Sequence, residues 1–444
     1  MKKKYHLIGI KGAGMSALAL ILHDLGYKVQ GSDVEEKVFT QIELEAKGIS
    51  LYPFGKSSIE ANMEVIVGNA FNDDHPEIVE AKSKGAKMIR YHDFLGELIR
   101  DFTSIAVGGT HGKTTTTGLL AHVLRLNYPT SYLIGDGTGK GVKGSKYFAF
   151  EACEYKRHFL SYQPDYGIIT NIEHDHPDYF KDTDDVIDAF NDFASQCKQQ
   201  VIACGDDPRV KKLKNFANMM TYGFDEGNQI VAKNVLKSAD GTTFDVIINK
   251  VFYHTFKTPF FGAHMVLNSL SVIAICYLEG LAAPVIEKDL SIFTGVKRRF
   301  TEKECHDQII IDDYAHHPTE IEVTLKAVRQ KYPNKKIVAI FQPHTFTRTE
   351  TFIDEFSESL SLADAVYLTE IFGSAREAAS DIKIEMLIGK CKNGQLITEG
   401  TVNQLSQYPE AVLVFMGAGD IKKYEDAYLK QYKINHNRLR RDKK

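Results

Sequence analysis

The sequence predicts an α/β protein in which parallel sheets are flanked by helices. Two glycine-rich turns, at residues 9–16 and 107–117, each follow an apolar strand-like run and open a helical pattern. Further strand-like runs alternate with helical patterns along the rest of the chain. Because 444 residues are many for a single hydrophobic core, we expect two to four domains.

The first block, residues 1–102, carries a Rossmann-type fingerprint. Gly12, Gly14 and Ala17 stand at the spacing G-x-G-x-x-A where a helical pattern begins. Asp33 follows about 20 residues on, where such folds place an acid that holds a ribose hydroxyl. Taken alone, this block would be interpreted as an NAD site.

The second block, residues 103–293, opens with a phosphate loop, Gly109-Thr110-His111-Gly112-Lys113-Thr114-Thr115. Backbone N–H groups of such a loop point into one hollow at a helix N-terminus, where the helix dipole favours anions. Lys113 would reach the β- and γ-phosphates of ATP or GTP, and Thr114 would reach Mg²⁺. The alternative is a glycine-rich turn that binds no ligand. However, the run of threonines after Lys113 has a low helix propensity, and packing alone would not explain threonines at these positions.

Two later runs of the second block, residues 147–150 and 166–171, are continuously apolar, which is typical of strands buried in a parallel sheet. Each ends in polar residues, where open α/β sheets bind ligands. The third block, residues 294–444, again alternates strand and helix patterns and ends in a basic tail.

Composition narrows the class of protein. The chain is 43% hydrophobic and 25% charged with a net charge of −4, which is ordinary for a globular protein and predicts no nucleic-acid partner. Its six cysteines form no CxxC pair and are expected as buried thiols in a reducing compartment. Neither a signal peptide nor a membrane span is evident, so we expect a cytoplasmic protein without membrane contacts.

Three motifs together resemble the Mur ligases, the ATP-dependent enzymes that add amino acids to peptidoglycan precursors. They are the turn from Gly9 to Ser16, the phosphate loop, and Asp313-Tyr314-Ala315-His316-His317-Pro318. The resemblance covers nearly the whole chain. It implies a Rossmann-like N-terminal domain, a P-loop ATPase-like central domain and a Rossmann-like C-terminal domain, matching the three blocks.

Within that family, the resemblance is to the branch that joins L-alanine to the lactyl carboxylate of UDP-N-acetylmuramic acid through an acyl phosphate. Several Mur ligases carry a carbamylated lysine beyond the metal-site histidine, and residues 189–192 contain none, in agreement with this branch. A murein-tripeptide recycling ligase of the same architecture is the nearest alternative. A catalytically silent nucleotide-binding regulator and a nicotinamide dehydrogenase are the others.

The resemblance also implies roles for individual residues. The UDP part of the sugar, rather than NAD, would be bound by Gly12, Ala13, Gly14, Met15, Ser16 and Asp33. ATP would be bound by the phosphate loop with His264, Asn268, Arg299, Asp312, Asp313 and Tyr314. Mg²⁺ would be bound by Thr114, Glu154 and His176, with Thr115 assisting.

Two residues of the third block would serve the acceptor. Arg348 would pair with the carboxylate of alanine, and His344 would lie near its attacking amine, while Lys113 stabilises phosphoryl transfer. Each of these assignments has a purely structural alternative. Arg348 would form a surface salt bridge, and His264 would pack within its helix. Loop hydrogen bonds would be the role of the remaining histidines, His174, His176, His316 and His317.

Overall fold

The structure, a computed structural model, describes residues 3–214, 218–373 and 381–441. These residues form three sheets flanked by helices, which confirms the predicted α/β class. In the ranges described, no helix combines the length and apolar character needed to cross a membrane.

The first sheet has five parallel strands in the order β3-β2-β1-β4-β5. Its strands are β1 (Lys4–Ile8), β2 (Lys28–Asp33), β3 (Ser50–Pro53), β4 (Met63–Val67) and β5 (Lys87–Arg90). Its helices are α1 (Ala13–Asp24), α2 (Gln41–Ala46), α3 (Pro76–Ser83) and α4 (Tyr91–Leu98). Because the strand order reverses between β1 and β4, the turn after β1 opens at the crevice where such sheets bind ligands.

The second sheet has ten strands in the order β15-β14-β13-β12-β11-β10-β6-β9-β7-β8. Its strands are β6 (Thr103–Gly108), β7 (Thr130–Leu133), β8 (Gly139–Lys140), β9 (Tyr147–Glu151), β10 (Tyr166–Ile169), β11 (Gln200–Cys204), β12 (Met219–Gly223), β13 (Ile230–Ser238), β14 (Gly241–Ile248) and β15 (Val251–Thr258). Its helices are α5 (Lys113–Asn127), α6 (Thr183–Gln196), α7 (Ala263–Leu278) and α8 (Ala283–Ser291). The central strands are parallel, and antiparallel pairs occur only toward the two edges.

The third sheet has six strands in the order β16-β17-β21-β18-β19-β20, parallel except for β16. Its strands are β16 (Thr301–Cys305), β17 (Gln308–Asp313), β18 (Ile337–Phe341), β19 (Ala365–Leu368), β20 (Gly394–Leu396) and β21 (Val412–Met416). Its helices are α9 (Pro318–Lys331), α10 (Phe346–Thr351), α11 (Ile353–Leu360), α12 (Ile384–Lys390) and α13 (Lys422–Arg441).

Helix α5 begins earlier than its apolar pattern predicts. The pattern starts at Gly118, but the helix starts at Lys113 and includes all four threonines. Thr114, Thr116 and Thr117 are buried, so tertiary packing outweighs their weak helix propensity. The block boundaries at residues 102 and 293 stay predictions.

Close contacts join the central part of the molecule to the parts on either side of it. A Cβ on Gly139 of β8 would lie 2.1 Å from the carbonyl oxygen of Ala17 in α1, so the first sheet packs against this glycine. On the other side, Thr319 of α9 donates a 2.9 Å hydrogen bond to Glu173, which follows β10. Both glycine-rich turns therefore open toward neighbouring parts of the molecule.

Candidate functional site

The phosphate loop joins β6 to α5 and needs glycine at two positions. Gly109 has φ +132°, and a Cβ there would lie 1.9 Å from Oγ1 of Thr170. Gly112 is the N-cap of α5 with φ +82°, and its Cβ would lie 3.1 Å from Oδ1 of Asn268. Because L side chains disfavour positive φ, both positions combine a backbone and a steric requirement for glycine.

Side chains that follow β10 hold the loop in place. The backbone N–H of His111 donates to Asn171 Oδ1 at 2.8 Å, and Thr170 donates to the His111 carbonyl at 2.6 Å. The N–H of Glu173 donates to Thr110 Oγ1 at 2.7 Å. The sequence analysis predicted polar residues at this strand end but gave no role to Thr170, Asn171 or Glu173. The local pattern does not show which loop these three residues contact.

Lys113 lies across the hollow of the loop. Its Nζ donates to the carbonyl oxygens of Gly109 at 2.5 Å and Thr110 at 2.9 Å, and lies 2.9 Å from Oε2 of Glu154. Burial opposes the charge, but the adjacent Glu154 carboxylate outweighs it and raises the pKa of Lys113 above its usual value. The loop therefore holds a permanent cation where phosphate oxygens would lie.

Each of the three predicted metal residues, Thr114, Glu154 and His176, lies beside a carboxylate or an imidazole. Thr114 donates to Glu151 Oε2 at 2.7 Å, and His176 Nε2 lies 4.0 Å from Oε1 of Glu154. Burial lowers the pKa of His176, so the imidazole is neutral. The oxygens of Thr114 and Glu154 are donors that Mg²⁺ prefers and fit the ion, whereas the imidazole of His176 is an atypical ligand for it. Glu151 is an additional candidate that the sequence interpretation did not name.

His174 differs from its neighbour His176. Its Nε2 lies 3.1 Å from the carbonyl oxygen of Phe180, which is the loop hydrogen bond expected of a non-functional histidine. Of this pair, only His176 approaches the predicted metal residues.

A cavity of about 520 Å³ opens beside the loop, between the central and third sheets. Among the predicted ATP residues, it is lined by His111, Gly112, Thr115, His264, Asn268, Arg299 and Asp313. His264 and Asn268 share one face of α7, as their spacing predicts. Burial lowers the pKa of His264 to about 4, so the imidazole that lines the cavity is neutral.

The two aspartates at the end of β17 differ in position. Asp313 lines the cavity and accepts hydrogen bonds from the N–H groups of Phe300 and Ala315 at 2.8 and 2.9 Å. Burial raises its pKa to about 6. Asp312 is not part of the cavity wall, and its Oδ1 lies 3.6 Å from Nε of Arg298. Of the two candidates for a ribose contact, the geometry favours Asp313.

Tyr314 also lies outside the cavity wall. The guanidinium groups of Arg298 and Arg299 lie 4.9 and 5.1 Å from its ring centroid, so its ring is covered by cations. Contact with adenine stays a prediction for this residue.

His111 connects the phosphate loop to the third sheet. Its Nε2 lies 3.1 Å from Glu173 and its Nδ1 lies 3.4 Å from Glu320 on α9. Burial opposes protonation, but the two carboxylates outweigh it and raise the pKa of His111 to about 9. The imidazolium therefore ties the loop to α9.

His317 lies beside His111 with their ring centroids 4.6 Å apart. His111, Glu173 and His317 are close enough to share a metal ion. However, Glu173 already accepts from Thr319 and lies 3.3 Å from Arg209, so its oxygens are engaged by the protein. The side chain of His317 accepts from Thr319 N at 3.4 Å, in agreement with the loop-bonding alternative.

Arg348 lies at the junction of the central and third sheets. Its Nε and Nη2 donate to Oδ1 of Asp175 at 3.1 and 2.8 Å, and Nδ1 of His344 lies 3.5 Å from Nη1. The Arg348 and Asp175 side chains are each 6% exposed, so this is a buried ion pair between sheets and not a surface salt bridge. Asp175 adjoins His176, which places Arg348 next to the predicted metal residues.

In the first sheet, Asp33 organises the glycine-rich turn. Its Oδ2 accepts from the N–H of Lys11 at 2.6 Å and its Oδ1 accepts from the N–H of Val34 at 2.8 Å. Ser16, on the same turn, lies 3.5 Å from the Cβ position of Gly137 in the central domain. Ser16 therefore lies beside the central domain, and contact of Gly12 to Ser16 with the sugar nucleotide stays a prediction.

Three family models match the chain in order. They are described as Mur ligase family, catalytic domain (residues 4–103), Mur ligase middle domain (107–276) and Mur ligase, glutamate ligase domain (298–419). Each coincides with one of the three sheets.

Solved structures give the same result. The UDP-N-acetylmuramate-alanine ligase MurC of Thermotoga maritima is 28% identical, with a TM-score of 0.81 over 97% of this chain and 99% of that chain. A murein peptide ligase of Psychrobacter arcticus is 24% identical, with a TM-score of 0.68 over 97% and 98%. The MurF ligase of Thermotoga maritima, solved in complex with ADP, is 18% identical, with a TM-score of 0.64 over 92% and 95%. The last two similarities show the fold.

Proposed function

This chain belongs to the Mur ligase family, and on that premise we propose that it joins L-alanine to UDP-N-acetylmuramic acid as ATP is converted to ADP and phosphate. Mur ligases are ADP-forming amide ligases of peptidoglycan synthesis. The identity of the acceptor is the new element of the proposal. It is supported by the similarity to the alanine ligase of Thermotoga maritima and by the absence of lysine from residues 189–192.

One structural observation carries the proposal. A series of neighbouring charged and polar groups leads from the phosphate loop to the acceptor residues: Lys113 to Glu154 at 2.9 Å, Glu154 to His176 at 4.0 Å, His176 to Asp175 at 3.9 Å, and Asp175 to Arg348 at 2.8 Å. These distances support a single site for the residues proposed to bind phosphate, metal and amino acid. A silent regulator would not need this arrangement of charged and metal-binding groups.

The chemistry assigns each group a task. A carboxylate is a poor acyl donor, and ATP supplies the phosphoryl group that converts the lactyl carboxylate to an acyl phosphate. Lys113 stabilises the charge that develops on the transferred phosphoryl oxygens. Thr114, Glu154 and His176 would hold Mg²⁺, which neutralises phosphate charge.

The second half of the reaction needs a positioned amine. Arg348 would bind the carboxylate of alanine, which directs the amine at the acyl carbonyl. His344, which lies beside Arg348, would accept the proton that the amine loses. Phosphate then leaves as the amide bond forms.

The decisive experiment measures ATP-dependent phosphate release with UDP-N-acetylmuramic acid and a panel of acceptors. We expect L-alanine to give the highest kcat/KM, with L-serine and glycine lower. Faster reaction of the tripeptide L-alanyl-γ-D-glutamyl-meso-diaminopimelate would instead identify a recycling ligase. Phosphate release with none of the acceptors would exclude both ligase functions.

A further inference from the structure

The ion pair between Arg348 and Asp175 has an unusual geometry for an arginine and a carboxylate. Two guanidinium nitrogens, Nε and Nη2, share the single oxygen Oδ1 of Asp175 at 3.1 and 2.8 Å. That oxygen also accepts the N–H of His176 at 2.7 Å. Asp175 therefore does not form the two-oxygen fork that makes arginine–carboxylate pairs strong.

The surroundings require that Arg348 always has an anionic partner. Both side chains are almost fully buried, and a buried cation without a counter-charge is strongly destabilising. Nε2 of His176 lies 3.9 Å from the other carboxylate oxygen of Asp175. An acceptor carboxylate that pairs with Nε and Nη2 of Arg348 would therefore compete with Asp175.

We propose that Asp175 is a placeholder for the carboxylate of the acceptor amino acid. It neutralises Arg348 when no acceptor is bound, and the acceptor displaces it by offering two oxygens in place of one. This inference rests on the proposed function, since it assumes that Arg348 receives the acceptor. Asp175 would then be a specificity-determining residue, because an amine without a carboxylate gains nothing from Arg348.

The placeholder lowers the apparent affinity for the acceptor. When the binding-competent state is only a fraction of the population, the apparent dissociation constant rises by the inverse of that fraction. We expect Asp175→Asn to lower the KM for L-alanine on the order of tenfold and to leave the KM for ATP unchanged. The KM for L-alaninamide, which has no carboxylate, should not change.

Two controls separate this role from a structural one. Asp184→Asn removes an exposed carboxylate whose nearest cation is Lys212, 3.7 Å away, and should leave the KM for both acceptors unchanged. Asp175→Glu keeps the charge and should retain a high KM for L-alanine. In an Arg348→Gln background, Asp175→Asn should lose most of its effect, because the cation that Asp175 and the acceptor carboxylate share is gone.

An unchanged or raised KM for L-alanine in folded Asp175→Asn would overturn the placeholder role. If that variant does not fold, hydrogen exchange of the wild type supplies the test, with UDP-N-acetylmuramic acid and a non-hydrolysable ATP analogue present. L-Alanine should increase exchange in residues 172–180, and L-alaninamide should not. Equal exchange with both would reject the proposal.

The wild-type assay distinguishes this failure from failure of the proposed function. If the wild type uses a different carboxylate-bearing acceptor, the same variants are tested with that acceptor and its amide. If the wild type joins no acceptor, the proposed function has failed, and the placeholder role fails with it.

Discussion

Lys113 is the residue whose surroundings are most specific for phosphate chemistry. Two loop carbonyls and Glu154 hold its ammonium in the hollow of the loop. We expect Lys113→Ala to lower kcat on the order of 10²-fold or more, because it removes a fixed charge that stabilises phosphoryl transfer. Calorimetry should show nearly unchanged binding of UDP-N-acetylmuramic acid, which is assigned to another domain.

Lys326→Ala is the matched control for this prediction. Lys326 pairs with Glu322 on the exposed surface of α9, so its removal should leave kcat unchanged. Near wild-type turnover of a folded Lys113→Ala variant would refute the phosphate-loop assignment.

The raised pKa of His111 predicts how the stability of the protein depends on pH. Because its pKa rises from 6.5 to about 9 on folding, the stability it contributes is complete below pH 6.5 and is lost as the pH rises through 9. The wild type should therefore be more stable than His111→Gln at pH 6.5, by up to about 3 kcal/mol, and the difference should shrink by pH 9.5. Thermal midpoints of both proteins across this range provide the measurement.

His92 supplies the control, since burial lowers its pKa to about 3 and it is neutral throughout this range. The difference between the wild type and His92→Gln should change by no more than about 0.5 kcal/mol from pH 6.5 to 9.5, because only the unfolded chain titrates at this position. A constant difference for His111→Gln as well would mean that His111 carries no charge in the folded protein.

At the scale of elements, the phosphate loop depends on the strand end beside it. A methyl group on Gly109 would overlap Thr170, whose hydroxyl donates to the carbonyl of His111. We expect Gly109→Ala to shift the loop and raise the KM for ATP at least on the order of tenfold, because a displacement of about 1 Å has large catalytic effects.

Gly144→Ala tests whether positive φ alone explains such a result. Gly144 has φ +73°, with no atom within 4 Å of its Cβ position. This control should cost about 1 kcal/mol of stability and leave the KM for ATP unchanged. Equal KM values for the two variants would show that Thr170 does not constrain the loop.

At the scale of the whole molecule, the two glycine-rich turns that resemble nucleotide-binding loops follow strands of different sheets. The first turn uses both oxygens of Asp33 to hold backbone N–H groups, whereas a dehydrogenase needs this carboxylate for a ribose. We expect calorimetry to detect binding of UDP-N-acetylmuramic acid and none of NAD. Affinity for NAD without affinity for the sugar nucleotide would reverse the assignment of the first domain.

Much of the architecture could be predicted from local sequence. Glycine-rich turns, apolar runs and helical periodicity are properties of adjacent residues, so they identify the α/β class, the phosphate loop with Lys113 and Thr114, and the shared face of His264 and Asn268. They also place polar residues after β9 and β10, which is where Glu154 and His176 meet. The identity of the acceptor does not follow from these patterns.

The remaining features required the tertiary structure, because they join residues that are distant in sequence. Asp175 follows β10 and Arg348 lies on α10, and no spacing rule connects them. Likewise, the charge on His111 depends on Glu173 and Glu320, which only folding brings to opposite sides of its ring. The sequence by itself determined the parts that are predicted to contact nucleotide and metal, while the packing of three sheets decided which charges are buried together and therefore how those parts are coupled.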